Sequence, residues 1–186
     1  LSLYQQIRKK TEEIVAPLET EDYVAQPVTD VSPPKWHLGH TTWFFENFIL
    51  RKFKSDYIIF DSDFAFIFNS YYESQGERIL RNKRGTLTRP STAEIFNYRK
   101  NVDAEMEKLL SGLTPIEGEL LRFLEIGLNH EQQHQELLIT DIKYILGCNP
   151  LLPNFQTYEE KQVNSIKPEW LTVDEGVYTI GYEGPN

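Results

Sequence analysis

Only one cysteine, Cys148, occurs in the 186 residues. No disulfide can close within the chain, which fits a reducing compartment. Basic residues are in the minority, 19 Lys and Arg against 28 Asp and Glu, for a net charge of −9 and a pI near 5.0. That balance argues against a nucleic-acid binder, which needs a basic face for phosphates, and equally disfavours docking on anionic lipid. Long apolar runs are missing as well. The richest stretch, residues 41–50, is interrupted by Glu46 and Asn47, and nothing approaches the ~18–20 residues of a spanning helix. The first ten residues include Gln5, Gln6, Arg8, Lys9 and Lys10, so no signal-peptide core is present. The expectation is a cytoplasmic protein with small-molecule partners, no nucleic acid and no membrane. A start at Leu1 and a stop at Asn186, just after Tyr-Glu-Gly-Pro, read as a piece of a longer polypeptide.

Aromatic residues are plentiful: ten Tyr, eleven Phe and three Trp. They supply enough apolar surface for a core and exclude disorder over most of the chain. Leu3, Ile7, Thr11 and Ile14, widened by Tyr4 and Val15, form a helical stripe with charges on the other side, so a first helix should end near Pro17. A second should open at Ser32 as cap, with Pro33 and Pro34 in its first turn, and run to about Lys52. Asp56 to Tyr72 is aromatic but broken by Asp61, Asp63 and Asn69, and reads as an ordered loop. A basic loop follows, with Arg78, Arg81, Lys83, Arg84 and Arg89. Ser91-Thr-Ala-Glu94 is a capping box for a third helix, which Gly112 should stop. Thr114-Pro-Ile-Glu117 opens a fourth that Gly147 ends, some 32 residues or ~48 Å long. The pattern predicts an all-α four-helix bundle over residues 1–155, with a long loop between helices two and three. Residues 156–186 read as a linker followed by the first strand of a truncated second domain, since Leu171, Val173, Val177 and Ile180 alternate weakly.

The four histidines fall in two windows, Trp36-His-Leu-Gly-His40 and His130-Glu-Gln-Gln-His134. Helical spacing places each pair on one side of its helix. On the fourth helix Ile116, Phe123, Gly127, His130, His134, Leu137, Asp141 and Ile145 make one stripe. On the second, His40 shares a face with Trp36, Trp43 and Asn47, whereas His37 lies about 60° away. Buried imidazoles without partners cost ~1–3 kcal/mol each; a shared divalent cation removes that cost. Three neutral imidazoles suit Zn, Fe, Ni or Cu. With no carboxylate ligand the cation keeps its charge and favours an anionic ligand such as a thiolate, and Gly127 would leave space above it. A second reading is open, because His130-Glu131-x-x-His134 also matches the zinc-peptidase pattern with Glu131 as base. Its extended form needs Gly and His where Leu137 and Thr140 stand, and it leaves the upstream histidines unexplained.

Ser32-Pro-Pro-Lys-Trp-His-Leu-Gly-His-Thr41, Phe68-Asn-Ser-Tyr-Tyr-Glu73 and His130-Glu-Gln-Gln-His-Gln-Glu136 together resemble the N-terminal domain of the ergothioneine-pathway sulfoxide synthases. These are non-haem iron enzymes whose N-terminal half is a DinB-like four-helix bundle. The stretch Trp170 to Gly181 is similar to the opening of the family's second domain, which is related to the formylglycine-generating enzyme. The resemblance implies Fe(2+) held by His40, His130 and His134, with His37 outside the ligand set. It implies a reaction joining cysteine or γ-glutamylcysteine to the imidazole carbon of hercynine, the betaine of histidine, with O2 giving the sulfoxide. It also implies Tyr72, with Tyr71, near the oxygen chemistry, and Gln133 against hercynine. Arg81 and Arg84 could grip the carboxylate of the thiol substrate, and Asp141 reads as a buried partner to the site rather than a ligand. Two other functions are weighed: a DinB-like zinc or nickel hydrolase or thiol transferase, and a non-catalytic binding bundle.

Overall fold

The computed structural model describes residues 1–70, 78–112, 118–157 and 167–181. Helix α1 spans Ser2–Val15. Helix α2 begins at Pro34–Phe45, passes through a π-helical turn at Glu46–Leu50 and finishes at Arg51–Phe53. A short α3 covers Phe64–Phe68, α4 covers Thr92–Ser111, and α5 runs over Gly118–Gly147. Single 3-10 turns lie at Thr20–Val24 and Arg81–Thr86. The four long helices form the expected all-α bundle, with α2 packed on α4 and α5, and α1 laid along α5.

Helix α2 is the centre of the bundle. Every residue from Pro34 to Glu46 is buried, so its polar side chains cannot rely on water and need protein partners. Lys35 donates to the carbonyls of Leu87 and Pro90. Glu46 accepts from the phenols of Tyr57 and Tyr98 and from the Phe60 amide. His37 and His40 are the remaining cases, and their partners build the site. The helix can approach its neighbours closely because Gly39 and Gly127 lack a side chain. A Cβ on Gly39 would sit 2.3 Å from the Phe68 ring, and one on Gly127 2.7 Å from Phe45. Gly127 therefore admits α2 against α5; it does not open space above a metal.

Several sequence expectations need correction. Ser32 does not cap α2: Pro33 holds the cap position without a side-chain bond, and the Ser32 hydroxyl accepts from Arg84 instead. Leu3 is exposed, while Arg8, expected on the charged side of α1, is only 3 % exposed. The buried stripe of α1 is Tyr4, Arg8, Thr11 and Val15, with Ile7 and Ile14 beside it. Leu137, placed on the buried stripe of α5, is 44 % exposed. The loop after α2 contains α3, whose Phe64 and Phe68 pack on Tyr98. The capping box Ser91–Glu94 forms as expected. The Thr114–Glu117 box, like Tyr71 and Tyr72, lies outside the described residues. Residues 167–181 form no strand, and Trp170, Leu171, Val173, Val177 and Ile180 are all exposed; a strand requires a neighbour to complete its hydrogen bonds. Among the described residues, no helix is long and apolar enough to cross a membrane.

Candidate metal centre

His130 and His134 stand one turn apart on α5, with ring centroids 4.6 Å apart. His40 reaches them from α2, its ring 4.9 Å from His130 and 4.8 Å from His134. Its orientation is set on both faces. Trp36, one turn before, stacks on it at 4.5 Å and 14°, and Trp43, one turn after, at 5.7 Å and 16°. The edge is set too, because His40 Nδ1 lies 2.6 Å from the Phe68 carbonyl. A carbonyl only accepts, so the proton sits on Nδ1 and Nε2 keeps its lone pair.

That lone pair points at His130 Nε2, 3.2 Å away. Two nitrogens bound at ~2.1 Å to one cation are about 3.0–3.4 Å apart for angles from right-angled to tetrahedral. The His40–His130 pair already has this spacing, and one nitrogen from each of the three rings lies within 4.8 Å of the others. Among the described residues His130 Nδ1 is buried with no hydrogen-bond partner, an unusual cost in a native core. Binding a cation through Nε2 would put the ring proton on Nδ1, where the described residues supply no acceptor. The donor set fits a divalent ion of the zinc, iron or nickel type.

Electrostatics keep these rings neutral, as ligation requires. Burial pushes His40 well below the usual imidazole range, with His130 adding to the effect. Burial carries His130 down to about 4 despite the opposing pull of Glu131. His134 is lowered further still, by burial first and then by the neighbouring rings of His37, His40 and His130. Burial also lowers His37, against its bond to Asp141. The stability consequence has a definite sign. Between the unfolded value of ~6.5 and the lower folded values, the unfolded chain binds more protons, so stability falls as pH falls through that window, by up to ~1.4 kcal/mol per unit for each such histidine. Melting with a chelator present should show Tm dropping steeply from pH 7 to pH 5. A flat Tm over that range would contradict the burial of these rings as neutral bases.

His37 is outside the trio but not outside the site. Its Nδ1 lies 2.9 Å from His134 Nδ1 and its Nε2 lies 2.9 Å from Asp141 Oδ2, the oxygen that also accepts from the Ser32 amide. Asp141 is thus a partner to the histidines, as expected.

Glu131 is a different matter. Its carboxylate is fully buried and faces the opposite side of α5, where it binds Arg8 at 2.9 Å, Arg99 at 2.7 Å and the Thr11 hydroxyl at 2.6 Å. Burial alone would push this carboxyl up, but Arg8 and Arg99 outweigh it and hold it at about 2. A peptidase base must face the metal-bound water. Glu131 does not, which removes the zinc-peptidase reading. Arg8 also bridges to Asp103 and Thr42, making a buried polar network that the sequence reading missed. Its signal was available: Arg8 sits on the stripe formed by Tyr4, Thr11 and Val15.

A cavity of about 580 Å³ opens beside the trio, lined by Trp36, His40, Ser70, Arg84, His130 and His134. Arg84 is buried there. Its guanidinium lies 3.3 Å from the Trp36 ring centroid and donates to the hydroxyls of Ser32 and Ser70. Arg81 and Gln133 are exposed at the rim of the same cavity, and Arg81 donates to the Asp30 carbonyl. The profile of the DinB superfamily matches residues 3–138, a span that takes in α1, α2, α4 and the part of α5 carrying both histidines. No curated protein matches the chain.

Proposed function

The chain belongs to the DinB superfamily, and we propose that within it this is the metal-binding domain of an iron(II)- and O2-dependent sulfoxide synthase. The reaction joins the imidazole carbon of hercynine to the sulfur of cysteine or γ-glutamylcysteine. The carbon gives up its hydrogen and the thiol its proton. One oxygen atom of O2 ends on sulfur and the other leaves as water. The observation that carries this reading is a trio of neutral imidazoles with no carboxylate among them, opening onto a cavity with a buried guanidinium.

His40, His130 and His134 would hold the ion. When bound, iron(II) supplies open positions at which a thiolate and O2 can meet. The other tasks belong to side chains of this chain. Arg84, stacked on Trp36, offers a carboxylate two N–H donors if it turns from the serine hydroxyls, and Arg81 at the rim is the second donor. Gln133 provides an amide for the hercynine side of the cavity. Tyr72, with Tyr71, is assigned the phenol that donates a proton during oxygen reduction. Residues 1–155 form the metal-binding domain, and residues 156–186 are the linker and start of a second domain that completes the substrate pocket.

Anaerobic reconstitution with Fe(II), followed by addition of O2, hercynine and each thiol to the full-length protein, tests the assignment. Oxygen consumption that requires both substrates is the expected result, with residues 1–186 alone binding metal but turning over little. Tight retention of zinc or nickel, with hydrolysis or thiol transfer independent of O2, would replace the oxygenase by another metalloenzyme of the superfamily.

A further inference from the structure

The bonds around His37 have a direction, and that direction reaches the trio. Asp141 Oδ2 accepts from the Ser32 amide and lies 2.9 Å from His37 Nε2. A carboxylate oxygen engaged this way offers only lone pairs, so His37 carries its proton on Nε2. With one proton per ring, His37 Nδ1 is then bare. It faces His134 Nδ1 at 2.9 Å, a contact that is attractive only if His134 Nδ1 is protonated. The lone pair of His134 is thereby left on Nε2, the atom on the far side of the ring from His37. Without an acceptor at Nδ1, a neutral imidazole would populate both tautomers and both ring flips, and only part of that population could bind.

We propose that His37 and Asp141 are positioning residues that fix the tautomer and ring orientation of His134, through the chain Ser32 amide, Asp141, His37, His134. This deepens the metal-centre reading and rests on it. His40 receives the same service from the Phe68 carbonyl, whereas His130 Nδ1 has no partner among the described residues. Two ligands are therefore preset, and the third adjusts when a cation enters. His37 and the two groups it joins are all buried: Asp141 is 8 % exposed, His37 3 % and His134 9 %.

The direct test is the nitrogen chemical shifts of the histidine rings, read by long-range proton–nitrogen NMR on the wild-type protein with chelator present. His134 and His40 should both be protonated at Nδ1. A His134 ring protonated at Nε2 would overturn the proposal, and this readout needs neither a variant nor metal. Cobalt(II) titration, followed by its visible d–d bands, gives the second arm. His37→Phe should weaken cobalt binding ~10–100-fold, the usual cost of removing such a partner. His37→Asn, whose carbonyl can accept from His134 Nδ1, should regain most of the loss. Asp141→Asn, which keeps an oxygen for the Ser32 amide and the His37 N–H, should stay near wild type, and Asp141→Leu should not. Cobalt affinity and spectrum unchanged in His37→Phe would also overturn the proposal. If wild type bound no cobalt at all, the metal centre itself would fail, and the tautomer of His134 would still decide the wiring.

Discussion

His130→Ala should lose divalent metal binding while keeping its fold. Loss of the ring removes little polar bonding from the apo structure, since among the described residues its one hydrogen-bond contact is with His40 and its Nδ1 has none. Its removal takes away one of three donors, so the affinity loss should exceed the ~100-fold upper end seen for partners that touch no metal. The two effects separate in a melting experiment. At a free metal concentration 100 times Kd, wild type should gain about 2.7 kcal/mol from ligand linkage. His130→Ala should gain none of this at the same concentration, while its Tm in chelator stays near wild type. An equal metal-induced gain in both proteins would dismiss the trio as a ligand set. His134→Ala should behave alike toward metal but cost more in chelator, because His37 would lose its partner. His40→Ala should cost more again, since a cavity would remain between Trp36 and Trp43.

The second large effect concerns Glu131, which the sequence places between His130 and His134 and the fold turns away from them. Glu131→Ala leaves the guanidinium groups of Arg8 and Arg99 buried without their shared carboxylate, both being 3 % exposed or less. Removing one partner of a buried ion pair costs about 3–5 kcal/mol, against a total domain stability of roughly 5–15 kcal/mol. Urea denaturation should therefore show a midpoint lowered by roughly a fifth or more, or no folded protein at all. Glu131→Gln keeps the shape and one acceptor oxygen and should cost less, while binding metal as wild type does. If Glu131→Gln retained full stability and lost metal, the carboxylate would belong to the metal site after all. The pH dependence has the same origin. Arg8 and Arg99 hold this carboxyl at about 2, below its unfolded value of ~4.3. Its stabilisation is complete above that unfolded value and is lost as pH falls toward 2.

Much of this was legible without coordinates, for identifiable reasons. The capping box at Ser91, the glycine stops and the 3.6-residue periodicity are local signals, and local signals place helices. The pairing of His130 with His134 is local as well, since one turn of helix brings them to one face. Residue type sends Arg8 to solvent, but its spacing with Tyr4 and Thr11 turns it inward. A sequence does not say what packs opposite a glycine, and at Gly127 Phe45 and Phe44 fill the space expected above a metal.

Sequence alone determined the four long helices and the candidate ligands, because periodicity belongs to the chain itself. Tertiary structure decided the rest. It brought His40 from α2 to within 3.2 Å of His130, aimed Glu131 at two arginines instead of the histidine side of α5, and linked Asp141 through His37 to His134. Those outcomes depend on how one helix is rotated against another, and that rotation is set by packing across the whole core, which no single segment encodes.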